Sequence, residues 1–249
     1  MIRYHGLPIT PNEAAMSVCK LFGHAFVSYS CLDQLDVALQ WCRGIGIDNG
    51  AFSAWQKSRP FDFDGFMHFA KHHYRHPSVN MIIAPDIIDG TEDENNEMLY
   101  RAMETIPLAP WVPVWHMHES LERLHNLCSG FRAVAIGSSG QYAELQTDIW
   151  WQRITEAMRY CCDSHGYPLC NLHGLRMMDP TIFSHVPFAS VDSTGVGQNI
   201  RIDKKWPGPY APKSKWVRAV VLADRSESHA CATRWTGSRG VEKNMELFG

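Results

Sequence analysis

Short apolar stretches alternate with amphipathic ones seven or eight times along the chain, and few architectures accept that order. The stretches at 24–30, 44–48, 79–84, 111–115, 132–136, 168–172 and 188–191 have strand length and composition, and 217–222 is a candidate eighth. Between them, apolar residues recur with helical spacing: Ala15, Val18, Cys19 and Phe22; Leu35, Ala38, Leu39 and Cys42; Phe66, Phe69 and Ala70. Later come Leu99, Ala102, Met103 and Ile106; Leu121, Leu124 and Cys128; and Trp150, Ile154, Met158 and Cys161. The i, i+3, i+4, i+7 pattern marks one buried helix face. Start signals agree: Asn12 and Asp64 can cap helices, Thr91-Glu-Asp-Glu94 fits a capping box, and Asp179-Pro180 places a cap before an N1 proline. Strand and helix in alternation give a parallel sheet. A chain of 249 residues with this strand count favours a single-domain α/β protein, a closed (β/α)8 TIM barrel, over an open doubly wound sheet.

Three of the strands end in a carboxylate. Gly44–Asp48 runs into Asn49-Gly50-Ala51-Phe52, Met81–Ala84 runs into Pro85-Asp86, and Phe188–Val191 runs into Asp192-Ser-Thr-Gly. Burying a carboxylate is costly unless it is paired or used, and a barrel places its active site at the C-terminal strand ends. The candidates there are Asp48, Asp86, His116 with His118, Gly137, His173 and Asp192. The bland reading of each aspartate is a cap on the following turn. That reading fits Asp86 better than Asp48 and Asp192, which precede Asn-Gly and Ser-Thr-Gly. Two facing carboxylates suit chemistry at an acetal-like carbon, one attacking C1 of a sugar and the other managing protons.

Charge is unevenly spread: the formal balance is −8 over residues 1–198 and +5 over 199–249. The segment 193–216 is rich in Gly, Pro and Lys and shows no helical pattern. Arg201, Lys204, Lys205, Lys213 and Lys215, with Trp206, Tyr210 and Trp216 interleaved, form a candidate nucleic-acid surface. The alternative is a solvated proline-rich loop. Eight cysteines without a regular framework suggest a reduced, cytoplasmic protein. No apolar run approaches the length of a membrane span, and no export signal is expected.

The motifs together carry a family resemblance. Ile47-Asp-Asn-Gly-Ala-Phe52, with Ser53-Ala-Trp55, resembles the Asp-Ser/Asn-Gly-Ala-Phe-Ser-x-Trp stretch of the DNA 7-deazaguanine transglycosylases of phages and bacteria, within the tRNA-guanine transglycosylase superfamily. Ala84-Pro-Asp86, Ala135-Ile-Gly137 and Ser190-Val-Asp-Ser-Thr194 resemble further strand ends of that superfamily, in the same order over residues 24–200. The resemblance implies exchange of guanine in DNA, or in tRNA, for a 7-deazaguanine or guanine base. Asp192 would be the nucleophile on the sugar and Asp48 the proton-handling partner. Asp86, Phe52, Trp55, His116, Gly137 and His173 would seat the base. No cofactor and no structural zinc are implied, because the Cys-x-Cys-x-x-Cys…His set of the tRNA enzymes is lacking; His229 and Cys231 supply two of its ligand types. A partner subunit or a homodimer is compatible with the pattern. Three other readings stand beside it: a nucleoside hydrolase at the same site, a nucleic-acid-binding barrel without catalysis, and a metal-dependent barrel hydrolase. The last would use His116, His118, His173 and Asp192, with His185 nearby.

Overall fold

The computed structural model describes residues 1–202, 206 and 212–237. Among the described residues nine strands, all parallel, form one sheet: β1 (Ile2–Gly6), β2 (His24–Ser28), β3 (Gly44–Asp48), β4 (Val79–Ile83), β5 (Trp111–Val112), β6 (Val114–His116), β7 (Ala133–Gly137), β8 (Asn171–Gly174) and β9 (Ser190–Ser193). Their order is β5-β4-β3-β2-β1-β9-β8-β7-β6. The two ends of that list are consecutive in sequence and parted only by Pro113, which has no N–H to give a ladder. Val112 accepts from Ala84 N at 2.9 Å on one side, and Pro113 accepts from Ala135 N at 2.9 Å on the other. β5 and β6 are thus halves of one interrupted strand, and the sheet closes on itself. The result is a TIM-barrel-like α/β fold with eight strand positions.

Helices cover the outside: α1 (Asn12–Phe22), α2 (Leu35–Trp41), α3 (Ala51–Gln56), α4 (Phe63–His73), α5 (Glu92–Thr105), α6 (Leu121–Gly130), α7 (Asp148–Cys161), α8 (Pro180–Phe183), α9 (Gly195–Asn199) and α10 (Lys215–Glu227). The Thr91 capping box forms in full at the start of α5, and Asp179 caps α8 with Pro180 inside the first turn. Asp62, rather than Asp64, caps α4 by accepting from Gly65 N. The longer helices bury one apolar face; Trp150 and Ile154 of α7 and Phe66 of α4 are wholly buried, and α10 packs on α1.

The sequence-based order of strands is off by one at both ends. The first strand is β1, which pairs with both β2 and β9 and so joins the ends of the barrel. The stretch 217–222, expected as the eighth strand, lies within α10. Its Ala219 and Ala223, four residues apart, are the buried positions, and they set helical rather than strand periodicity. The segment after Asp48 contains α3, and the short α9 follows β9 within the stretch 193–216 that shows no helical pattern in sequence.

Inside the barrel the side chains stack in layers. Tyr4, Phe26, Met81, Ile83, Val112, Val114 and Ala135 form a buried apolar cluster separate from the outer core. Gly46 makes that packing possible: a Cβ there would lie 2.4 Å from Phe26 Cδ2. The ring of Phe26 sits 5.4 Å from that of His173, centre to centre.

Candidate active site

At the C-terminal mouth the ends of β3, β4, β6 and β9 present Asp48, Asp86, His116 and Asp192. Asp48 closes β3, beside Ser28 at the end of β2. Its Oδ2 accepts from Ser28 Oγ at 2.7 Å. Burial pushes its carboxyl up to about 6, against the Ser28 hydrogen bond, and the negative charges of Asp192 and Asp86 push in the same direction as burial. Asp192 and Asp86 are thus each within electrostatic reach of Asp48.

Asn49 organises the next shell, and its role lay outside the sequence reading. Its side-chain amide donates to Ala84 O at 2.6 Å and to Asp86 Oδ1 at 2.5 Å, and its Oδ1 accepts from Ala51 N at 2.8 Å. One buried residue therefore ties the end of β4 and the start of α3 to Asp86. Gly50 follows with φ +82°, the left-handed geometry that lets the chain turn straight into α3. The other carboxylate oxygen of Asp86 lies 2.8 Å from His116 Nε2. The backbone of His116 is held in turn, its N–H donating to Glu119 Oε2 at 2.8 Å. Glu119 is buried and paired with Arg123 at 2.6 Å, which makes the turn after β6 a rigid support. Gly137 lies next to His116 across the β6–β7 ladder, where a Cβ would make only ordinary contact with His116 Nδ1, at 3.5 Å.

Asp192 is 4% exposed. Its Oδ1 accepts from Arg176 N at 2.8 Å and lies 3.3 Å from His173 Nε2. Arg176 is the second functional residue that sequence patterns did not show. It sits just past β8 with φ +59°, uncommon for a residue with a side chain, and its guanidinium lies 4.0 Å above the Phe52 ring. Burial lowers its pKa, while Asp192 and Asp48 act to raise it. Phe52 stacks in turn on Trp55, rings 5.7 Å apart, and Trp55 Nε1 donates to Asp89. Arg176, Phe52 and Trp55 form a continuous wall beside the carboxylates.

The remaining candidates are dispersed. His173 is an inward residue of β8 that bonds Ser190 Oγ at 2.8 Å, one layer below the mouth. His118 faces outward and pairs with Ser139 Oγ at 2.8 Å. His185 packs edge-on against Trp151. Of the four groups expected for a metal hydrolase, His173 and Asp192 lie together and His118 faces away, and among the described residues no three His, Cys, Asp or Glu side chains are arranged to hold a metal ion. Arg201, Lys213 and Lys215 are exposed, whereas Lys204, Lys205 and Tyr210 lie outside the described residues. Trp206 is buried, with Arg225 5.0 Å and Arg218 5.7 Å from its ring, so it packs inward rather than offering a face to a base.

No family model matches the chain, and no curated protein does. Among solved structures it is similar to 2-keto-3-deoxy-6-phospho-gluconate aldolase from Zymomonas mobilis, with a TM-score of 0.51 and 10% identity, over 93% of this chain and 94% of that one. At that identity the likeness is one of fold, and the fold is that of a TIM barrel. The expectation of a base-exchange transglycosylase is corrected here: the barrel matched from end to end is an aldolase. The expected nucleophile Asp192 is also buried, with one oxygen committed to Arg176 N. No helix among the described residues is long and apolar enough to cross a membrane.

Proposed function

We propose that the chain is an enzyme of general acid–base type, working at the C-terminal mouth of the barrel with Asp48 as the proton carrier. The observation that carries this reading is the placement of Asp48 at the end of β3, held by Ser28 Oγ at 2.7 Å, where burial and two neighbouring aspartates push its carboxyl up to about 6. A group with that pKa holds and releases a proton near neutral pH, which is what an acid–base catalyst requires. Asp192 and the Asp86–His116 pair supply fixed acceptors around it.

The substrate class follows from complementarity. Carboxyl groups are acceptor-rich, donating only when protonated, so a mouth with three aspartates suits a small molecule rich in N–H or O–H donors and not itself strongly anionic. The Arg176–Phe52–Trp55 wall suits a planar body, since cations and rings stack on aromatic faces. A planar amide or amino heterocycle satisfies both conditions. Lysine, which forms Schiff bases with carbonyl substrates, is absent from the described strand ends. The reading therefore rests on proton transfer.

The test is incubation in D2O with a panel of cyclic amides, amino heterocycles and their N-methylated counterparts, followed by NMR for turnover or for deuterium entering carbon. Activity on donor-bearing members is expected to change through about pH 6 and to fall by roughly 10²- to 10⁴-fold in Asp48→Asn. Turnover that survives Asp48→Asn with an unchanged pH profile would remove Asp48 from the role.

A further inference from the structure

The opposite end of the barrel is also concave. A cavity of about 600 Å³ opens at the N-terminal mouth, lined on its polar side by Tyr4, Asn80, Arg132, Asn171, His173 and Ser190. Ile2, Met81, Pro110, Trp111, Val112, Ala133 and Ala189 give it an apolar lining. That volume is in the range of small-molecule sites, and a mostly apolar wall with a few convergent polar groups is their usual composition. No acidic residue lines it. Arg132 is exposed there and has no ion-pair partner among the described residues. Asn80 Oδ1 accepts from the Tyr4 hydroxyl at 2.8 Å, leaving the asparagine NH2 as a donor. The hydroxyl is held protonated, its pKa pushed up to about 12 by burial.

The floor links the two mouths. His173 is 1% exposed and spans the inner layer, with Nδ1 at 2.8 Å from Ser190 Oγ and Nε2 at 3.3 Å from Asp192 Oδ1. The rings of Tyr4 and Phe26 pack against it from β1 and β2. His173 therefore touches the N-terminal cavity on one side and Asp192 on the other.

We propose that this mouth is a second binding site, for a small organic carboxylate with an apolar body, whose occupancy His173 reports to Asp192. The carboxylate would meet the exposed guanidinium of Arg132, with the Asn80 and Asn171 amides beside it, and its body would lie on Met81, Trp111 and Val112. Binding at this end is independent of the acid–base reading of the other mouth.

The test uses 4-fluorobenzoate as probe and neutral 4-fluorobenzamide as control, followed by ¹⁹F NMR on the full chain, with the His173 ring resonances observed in parallel. The benzoate is expected to bind, to shift the His173 ring, and to weaken about tenfold in Arg132→Gln, the size of one lost charge-assisted hydrogen bond. Asp48→Asn is expected to bind it as well as the parent does, so failure of the acid–base reading would leave this outcome intact. Three results would each overturn the proposal: equal binding of the benzamide, binding unchanged in Arg132→Gln, or binding lost in Arg176→Gln instead, which would put the probe at the other mouth. Arg132 is exposed, and an unchanged melting temperature would show that Arg132→Gln is folded.

Discussion

A carboxyl that titrates near pH 6 in the fold and near 4 in the unfolded chain makes stability depend on pH. For Asp48 the native pKa is raised, so between those values the native state holds more protons than the unfolded state. Its contribution to stability is then fully present below about pH 4 and is lost as pH rises through about 6. The size of the loss is on the order of 2–3 kcal/mol at pH 7.5, from about two pKa units at 1.36 kcal/mol each. Asp48→Asn, which cannot ionise, is expected to be more stable than the parent at pH 7.5 and equal to it near pH 4, as urea denaturation would show. A variant less stable at both pH values would mean that the carboxylate is not strained. Asp48, Asp86 and Asp192 were legible in the sequence because a carboxylate ending an apolar strand is chemically conspicuous. Arg176 and Asn49 were not. Arg176 takes its place through a left-handed turn, and Asn49 through contacts with Ala84 and Asp86, 35 and 37 residues away.

Among the elements, β2 and β3 show how tightly the interior is specified. Gly46 faces the ring of Phe26, and a methyl group at 46 would press into it at 2.4 Å. Gly46→Ala is expected to cost about 1–3 kcal/mol, the range for overpacking a filled core, read as a fall in melting temperature. An unchanged melting temperature would show that Phe26 has another rotamer open to it. The strands most readily seen in the sequence were those with continuous apolar runs, as buried parallel strands have. β1 escaped notice because Arg3 and His5 point outward from it and are buried all the same, covered by Glu227 of α10. α10 was misread for the converse reason. Val217, Val220, Val221 and Leu222 suggest a strand by side-chain shape, but packing against α1 selects helix.

For the molecule as a whole, closure depends on β1 lying between β2 and β9, and α10 holds β1 from outside. Arg3 Nη1 pairs with Glu227 at 3.3 Å, His5 Nε2 lies 3.1 Å from the same carboxylate, and Arg3 packs on the Phe183 ring at 4.9 Å. Glu227→Ala removes the carboxylate partner of a buried guanidinium that keeps its bond to His229 O. A loss of about 2 kcal/mol is expected, below the 3–5 kcal/mol of a fully buried pair because Glu227 is partly exposed. Urea unfolding at pH 7 measures it, and a loss below 0.5 kcal/mol, the level of an ordinary surface change, would show that α10 does not fasten the ring. With the barrel closed, its two mouths are distinct: Asp48 with two neighbouring aspartates and a cationic aromatic wall at one, an acid-free and mostly apolar cavity at the other. The most direct measurement of the central claim is a carboxyl ¹³C NMR titration of aspartate-labelled protein, with Asp48 assigned from the signal missing in Asp48→Asn. The account predicts a midpoint near pH 6 for Asp48 that falls when Asp192 is replaced by Asn. A midpoint near the ordinary value of about 3.9, unmoved by Asp192→Asn, would contradict it.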